Sequence, residues 1–297
     1  MKAQFMTPVV TALTVDGGID VDGNKAVYDH LIQGGIDGIV VLGSTGEFFA
    51  LSMAQQKRLI ELAAGHIAGR TRLLVGTSRM DPAESVELAN FAMEKGADGV
   101  MIISPYYFSL TEQSVEAYYS AIAANTEARI YLYNFPDRTG YSLSPETVLR
   151  LARKHANIVG IKDTVLDMWH TSAIIRTVTP EFPDFEVYCG FDNNFAHNIM
   201  SGGAGCIGGL SNLVPEVCSA WARACEADDM EKVRDMQRYI DDMMSLYNIS
   251  VPFIPTVKKA MMLRGVKLQE HCTPPLLPIT EAQVASLRSL LATLKIA

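Results

Sequence analysis

The stretch "NIVGIKDT", residues 157–164, is a short apolar run that ends on a lysine, Lys162. A run this short, rich in Ile and Val and without polar alternation, reads as a strand covered on both faces, as in a parallel sheet. Seven more runs of the same kind recur: "TPVVTAL" (7–13), "GIVVLG" (38–43), "RLLVGTS" (72–78), "GVMIISP" (99–105), "RIYLYNFP" (129–136), "FEVYCGF" (185–191) and "AGCIGGLSN" (204–212). Between them lie stretches with helical spacing, such as "SMAQQKRLIELAAGHI" and "DPAESVELANFAMEKGA". Their first turns carry Ser, Asp or Pro, as helix starts should. Eight strand-plus-helix units match an α/β fold of the (β/α)8 TIM-barrel type. A doubly wound sheet would want GxGxxG after its first strand, and "TALTVDGGIDVDG" does not spell it. The barrel is assigned to residues 1–228. From 229 to 297 the pattern is helical ("DMEKVRDMQRYIDDMMSLY", "PTVKKAMMLRG", "TEAQVASLRSLLATLKI"), which predicts a C-terminal helical extension packed on the barrel.

The chain has 297 residues, 48% hydrophobic and 20% charged, the composition of an ordinary globular protein. A net charge of −8 without a cluster of Lys and Arg argues against a nucleic-acid partner. The five cysteines, Cys189, Cys206, Cys218, Cys225 and Cys272, form no CxxC pair, so a disulfide framework or a zinc site is not expected. No apolar stretch has the length of a signal sequence or a membrane span, and a cytoplasmic enzyme without membrane partners is the expectation.

In a barrel the site forms at the carboxyl ends of the strands, so the residues that close each run are the candidates. After the second run comes "GSTGEFF", where glycines around Ser44 and Thr45 let backbone N–H groups face a small anion. The same tract also serves as a tight strand-to-helix turn. After the fourth comes "SPYYF" with Tyr106 and Tyr107, and in "YLYNFPDRTG" the period of two sets Tyr131 and Tyr133 on one face, with Arg138 following. Tyrosine carries protons and arginine clamps carboxylates, although both also pack or lie at the surface. Lys162 is the sharpest signal, because lysine is rarely buried, and desolvation favours the neutral amine that attacks carbonyls. Asp163 next to it points the opposite way on an extended strand and cannot be its ion-pair partner. Gly190 and Asp192, after the seventh strand, are candidates for binding substrate hydroxyls; Asp192 and Asn193 could equally cap the next helix.

Taken together and in order, "GSTGEFFALS", "PYYF", "YNFPDRTG", "GIKDT" and "GGAGCIGGLSN" resemble the dihydrodipicolinate synthase and N-acetylneuraminate lyase family of class I aldolases. The resemblance spans essentially the whole chain. It implies a barrel with C-terminal helices, a homotetramer built as a dimer of dimers, and a Schiff base between pyruvate and Lys162, with no metal or other cofactor. It further implies Tyr133 as proton shuttle, Ser44 and Thr45 as binders of the pyruvate carboxylate, and Tyr107 reaching in from a neighbouring subunit to complete a hydroxyl relay. Ile207 would offer a backbone carbonyl near the bound pyruvate.

The motifs also point within the family. Arg138 resembles the arginine with which the synthases hold the distal carboxylate of aspartate semialdehyde, whereas sialic acid lyases usually lack it. The synthases usually read "GTTGES" and place "EA" after the lysine; this chain has Ser44, Phe48 and "DT". "STGEF", "YNFP", "GIKDT" and "CGFD" look nearer to aldolases that split 2-keto-3-deoxy sugar acids. That activity is the expectation, with the synthase, then a sialic acid lyase or a non-catalytic pyruvate-binding relative, as alternatives.

Overall fold

Residues 3–296 are described by a computed structural model. Eight parallel strands close on themselves in chain order: β1 (Gln4–Pro8), β2 (Gly38–Val41), β3 (Arg72–Gly76), β4 (Gly99–Ile103), β5 (Ile130–Asn134), β6 (Ile158–Asp163), β7 (Glu186–Cys189) and β8 (Gly205–Ile207). The seam is sealed by Gln4↔Gly205, Phe5↔Cys206 and Met6↔Ile207. Asn212 ties the loops across it, accepting from Val10 N–H (3.2 Å) and donating to the Pro8 carbonyl (3.0 Å).

Two strands differ from the sequence expectation. The first ladder is Gln4–Pro8, displaced towards the N-terminus from the predicted 7–13. Pro8 has no N–H to continue the ladder, and past it only Val9 still donates to the Val40 carbonyl (3.0 Å). The polar start of the strand escaped notice because Gln4 faces a polar barrel floor, where apolar pattern is no guide. In "AGCIGGLSN" only Gly205–Ile207 pairs; Gly209–Asn212 winds into a 3₁₀ turn.

The helices begin where the caps place them. Ser52 and Gln55 form a reciprocal capping box on Met53–Ile67, Asp81 caps Pro82–Glu94, and Ser144 caps Pro145–Lys154. Inside the barrel, glycine makes space for aromatic rings: a Cβ on Gly160 would lie 2.6 Å from the Tyr131 ring. Behind β1, Phe5, Phe195 and Trp221 are fully buried, with Phe195 and Trp221 edge to face at 4.8 Å.

Helices Met230–Met243, Ile254–Leu263 and Glu281–Thr293 follow the barrel. Their inward residues Ile240, Met243, Val257, Met261, Leu287 and Leu291 join the same hydrophobic core as the strands. Burying an apolar side chain of this size contributes about 1.5–3 kcal/mol, so shared burial is what holds the extension against the barrel. No helix among the described residues is long and apolar enough to cross a membrane.

Candidate active site

Lys162 and Tyr133 are cross-strand partners at the carboxyl ends of β6 and β5. The period of two turns both inward, and the Lys162 ammonium nitrogen lies 4.6 Å from the centre of the Tyr133 ring. Lys162 is only 5% exposed. The next pair, Asn134 and Asp163, faces outward, as the alternation predicted. Asp163 accepts from Asn134 Nδ2 (2.7 Å) and Thr171 Oγ1 (2.6 Å), and its Oδ2 is 3.0 Å from His170 Nδ1. The other ring nitrogen of His170 faces the Leu143 carbonyl at 3.0 Å. Burial opposes charge on that ring, but the hydrogen bond and charge of Asp163 outweigh it and raise the His170 pKa. The two strand ends that carry Lys162 and Tyr133 are thus pinned from behind.

Ser44 and Thr45 open a 3₁₀ turn directly after β2. Two non-glycine residues in the left-handed region flank it, Leu42 (φ 57°) and Glu47 (φ 60°). Such positions are sparsely populated and persist only where the surroundings enforce them. Gly76 is part of that enforcement, since a Cβ there would sit 2.6 Å from the Leu42 carbonyl carbon. Thr11 adds another restraint by donating to the Gly46 carbonyl at 2.7 Å. The leading N–H groups of a helical turn have no earlier carbonyl within it, which leaves those of Ser44 and Thr45 suited to an anion.

The other predicted residues divide into rim and wall. Tyr107, after β4, is 80% exposed and packs edge to face on Phe108 (4.8 Å). Within one chain it makes no hydrogen bond to Ser44 or Tyr133. Arg138 lies on the exposed turn after β5, its guanidinium 4.9 Å from the Phe135 ring, which in turn stacks on Tyr133 at 5.9 Å. Ile207 closes β8 at the same end of the barrel, register-paired with Met6.

Asp192 requires a correction on its capping reading. It caps no helix with its side chain, and its carboxylate is engaged within the chain, one oxygen accepting from Leu210 N–H and the other from the Tyr247 hydroxyl, both at 2.9 Å. Full burial, only partly offset by these donors, pushes its pKa up to about 6. The residue joins the β7 and β8 loops to the C-terminal extension. Gly190 is needed for packing, because a side chain there would collide with Thr164.

Thr164 is the residue that the sequence reading passed over. It lies two positions beyond Lys162, is 5% exposed, and its buried hydroxyl has no hydrogen-bond partner among the described residues. Its Oγ1 is one of seven buried side-chain N or O atoms without a partner among the described residues, and what sets it apart is its place two residues beyond Lys162 at the barrel mouth. The signal was available: the period of two carries Thr164 to the same face as Lys162.

A closed (β/α)8 barrel whose buried lysine and tyrosine meet at the carboxyl ends of neighbouring strands defines a lyase of the aldolase kind. The profile of the Dihydrodipicolinate synthetase family matches residues 1–294, and the chain belongs to that family. YagE of Escherichia coli K12, named as a candidate 2-dehydro-3-deoxy-D-gluconate aldolase, is 35% identical over 98% of this chain and 97% of its own. The 4-hydroxy-tetrahydrodipicolinate synthase of Kosmotoga olearia is 34% identical over 89% of this chain and 88% of its own. In three dimensions, the crystal structure of YagE in complex with pyruvate superposes with a TM-score of 0.97 over 99% of both chains at 34% identity. Dihydrodipicolinate synthase from Aquifex aeolicus gives 0.93 over 100% of this chain and 99% of its own at 26%.

Proposed function

We propose that this enzyme cleaves a 2-keto-3-deoxy sugar acid to pyruvate and an aldehyde through a Schiff base on Lys162. The observation that carries this is the buried Lys162 amine against Tyr133, with the unpartnered Thr164 hydroxyl on the same face of the strand. The deprotonated amine adds to the C2 carbonyl of the substrate, and loss of water leaves an iminium. Tyr133 gives its proton to the C2 hydroxyl that leaves as water. The resulting phenolate takes the proton from the C4 hydroxyl as the C3–C4 bond breaks and its electron pair moves through C3 into the iminium. The aldehyde departs. The resulting enamine is protonated at C3, and water returns Lys162 and releases pyruvate. Each atom is accounted for by side chains and water, with the iminium as electron sink. The Ser44–Thr45 turn receives the C1 carboxylate, and proton transfer through Tyr133 supplies roughly 10²- to 10⁴-fold of rate.

Substrate class follows from Thr164. A synthase-like alanine in its place would offer no hydroxyl to a polyhydroxylated tail, whereas Thr164 offers one to the hydroxyls of a sugar acid. The second reading, condensation of pyruvate with aspartate semialdehyde, is favoured by Arg138 at the rim and by the K. olearia relative. We further propose a cytoplasmic homotetramer, a dimer of dimers. The exposed rings of Tyr107 and Phe108 support an interface at which Tyr107 reaches a neighbour's site.

Borohydride reduction with pyruvate should add one pyruvyl mass to Lys162 and none to Lys162→Met. A panel of 2-keto-3-deoxy acids should release pyruvate faster than pyruvate is consumed with aspartate semialdehyde. An unmodified Lys162 would end the covalent mechanism, and turnover only with the semialdehyde would select the synthase.

A further inference from the structure

Glu47 and Lys258 form an ion pair in which both side chains are 0% exposed, with Lys258 Nζ 2.5 Å from Glu47 Oε1. A fully buried pair is seldom favoured over apolar residues of equal volume on stability alone, so its presence asks for another reason. The surrounding bonds give one. Lys258 also donates to the His271 carbonyl (2.5 Å), and Glu47 Oε2 accepts from both the N–H (2.6 Å) and the hydroxyl (2.8 Å) of Thr273. Both carboxylate oxygens and the ammonium are thereby engaged by residues more than 200 positions apart in sequence from Glu47.

Glu47 is also the left-handed residue that ends the Ser44–Thr45 turn, where its N–H donates to the Ser44 carbonyl at 3.1 Å. A β-carbon disfavours this conformation, so something must hold it. We infer that Glu47 is a positioning residue: its carboxylate, gripped by Lys258 and Thr273 of the C-terminal extension, fixes the turn in the shape that binds the substrate carboxylate. The extension is then part of the binding apparatus, acting through one buried anion. Gln56 holds the turn's far side, donating to the carbonyls of Phe48 (2.8 Å) and Leu51 (3.2 Å).

The inference rests on the proposed binding of pyruvate at Ser44 and Thr45, and the test separates the two. Borohydride trapping of pyruvate on Lys162 is titrated for wild type, Glu47→Gln, Thr273→Val and Lys259→Met, beside steady-state kcat and KM and thermal melting. Glu47→Gln should raise the pyruvate half-saturation by about tenfold, the size expected for loss of charge-assisted bonds, with the trapping plateau and kcat changed less than about threefold. Thr273→Val removes one bond and should raise it about threefold. Lys259→Met breaks the half-exposed Lys259–Glu270 pair on the same helix and should leave it unchanged. A purely structural role would lower the melting temperature without moving half-saturation. If Glu47→Gln does not fold, Thr273→Val decides. Half-saturation unchanged in Thr273→Val, or in a folded Glu47→Gln, overturns the positioning role while leaving the site intact. Wild type that traps no pyruvate overturns the site and the inference together.

Discussion

The two ends of this barrel treat inward-facing polar groups in opposite ways. At the floor, Arg72 pairs with Glu186 (2.8 Å), Tyr131 and Tyr188 both bond the Arg72 guanidinium, and Tyr188 reaches Gln4 Oε1 (2.5 Å). Charges and hydroxyls there satisfy one another. At the mouth, the Lys162 ammonium lies over the Tyr133 ring within the field of buried Asp192, and Thr164 Oγ1 has no partner among the described residues. Closed networks rigidify, whereas open groups keep binding capacity for a ligand. The same inward-facing positions, a few residues apart along β5 to β7, therefore serve stability at one end and chemistry at the other.

The strongest way to break that contrast is at the floor. Glu186→Gln removes the charge opposite the Arg72 guanidinium, and because both side chains are partly exposed it should cost about 1.5–3 kcal/mol in urea unfolding, the scale of hydrogen bonds to a charged group. The pyruvate half-saturation of Lys162 trapping should stay within twofold of wild type. A parallel loss of trapping in the folded variant would mean that floor and mouth are one energetic unit.

At the mouth the expected effect is smaller and selective. Thr164→Val keeps the shape that packs against Gly190 and removes only the hydroxyl. It should lower kcat/KM for a 2-keto-3-deoxy sugar acid by about tenfold, the scale of one hydrogen bond to a substrate hydroxyl. Trapping of pyruvate, which lacks that hydroxyl, should not change. Equal losses with both would assign Thr164 to packing and weaken the sugar-acid reading.

How far the sequence carried this division depended on which physical signal was involved. Strand ends and the inward faces of Tyr133 and Lys162 follow from local period and were legible. So was the outward Asp163, because alternation admits no other direction. The floor was not: Gln4, Arg72 and Glu186 look like ordinary surface residues in a linear reading, and only barrel closure brings them together. The partner of Asp192 was hidden for a related reason, since Tyr247 lies 55 residues away in the extension. The grip of Lys258 and Thr273 on Glu47 is equally non-local. Thr164 is the exception, a local signal within reach of the period-two argument that had been applied to its neighbours.

The finest probe of the contrast lies just behind the mouth, where the outward faces of β5 and β6 form a closed network of their own. His170 Nδ1 faces Asp163 Oδ2, and Nε2 faces both the Leu143 carbonyl and the Ser142 hydroxyl (3.2 Å), so imidazolium can donate from both nitrogens to oxygen acceptors, one of them a carboxylate. Its raised pKa means that the folded state holds the proton more tightly than the unfolded chain. The stabilisation is therefore complete below the ordinary histidine value near 6.5 and is lost as pH rises through the higher folded value. The melting temperature of wild type relative to His170→Gln should accordingly be greatest at about pH 5.5 and decline towards about pH 8.5. The ring is partly exposed, so the change should be modest. A difference independent of pH would show that His170 acts by shape alone, and that the strand ends carrying Lys162 and Tyr133 are held by Asn134 and Thr171 without help from its charge.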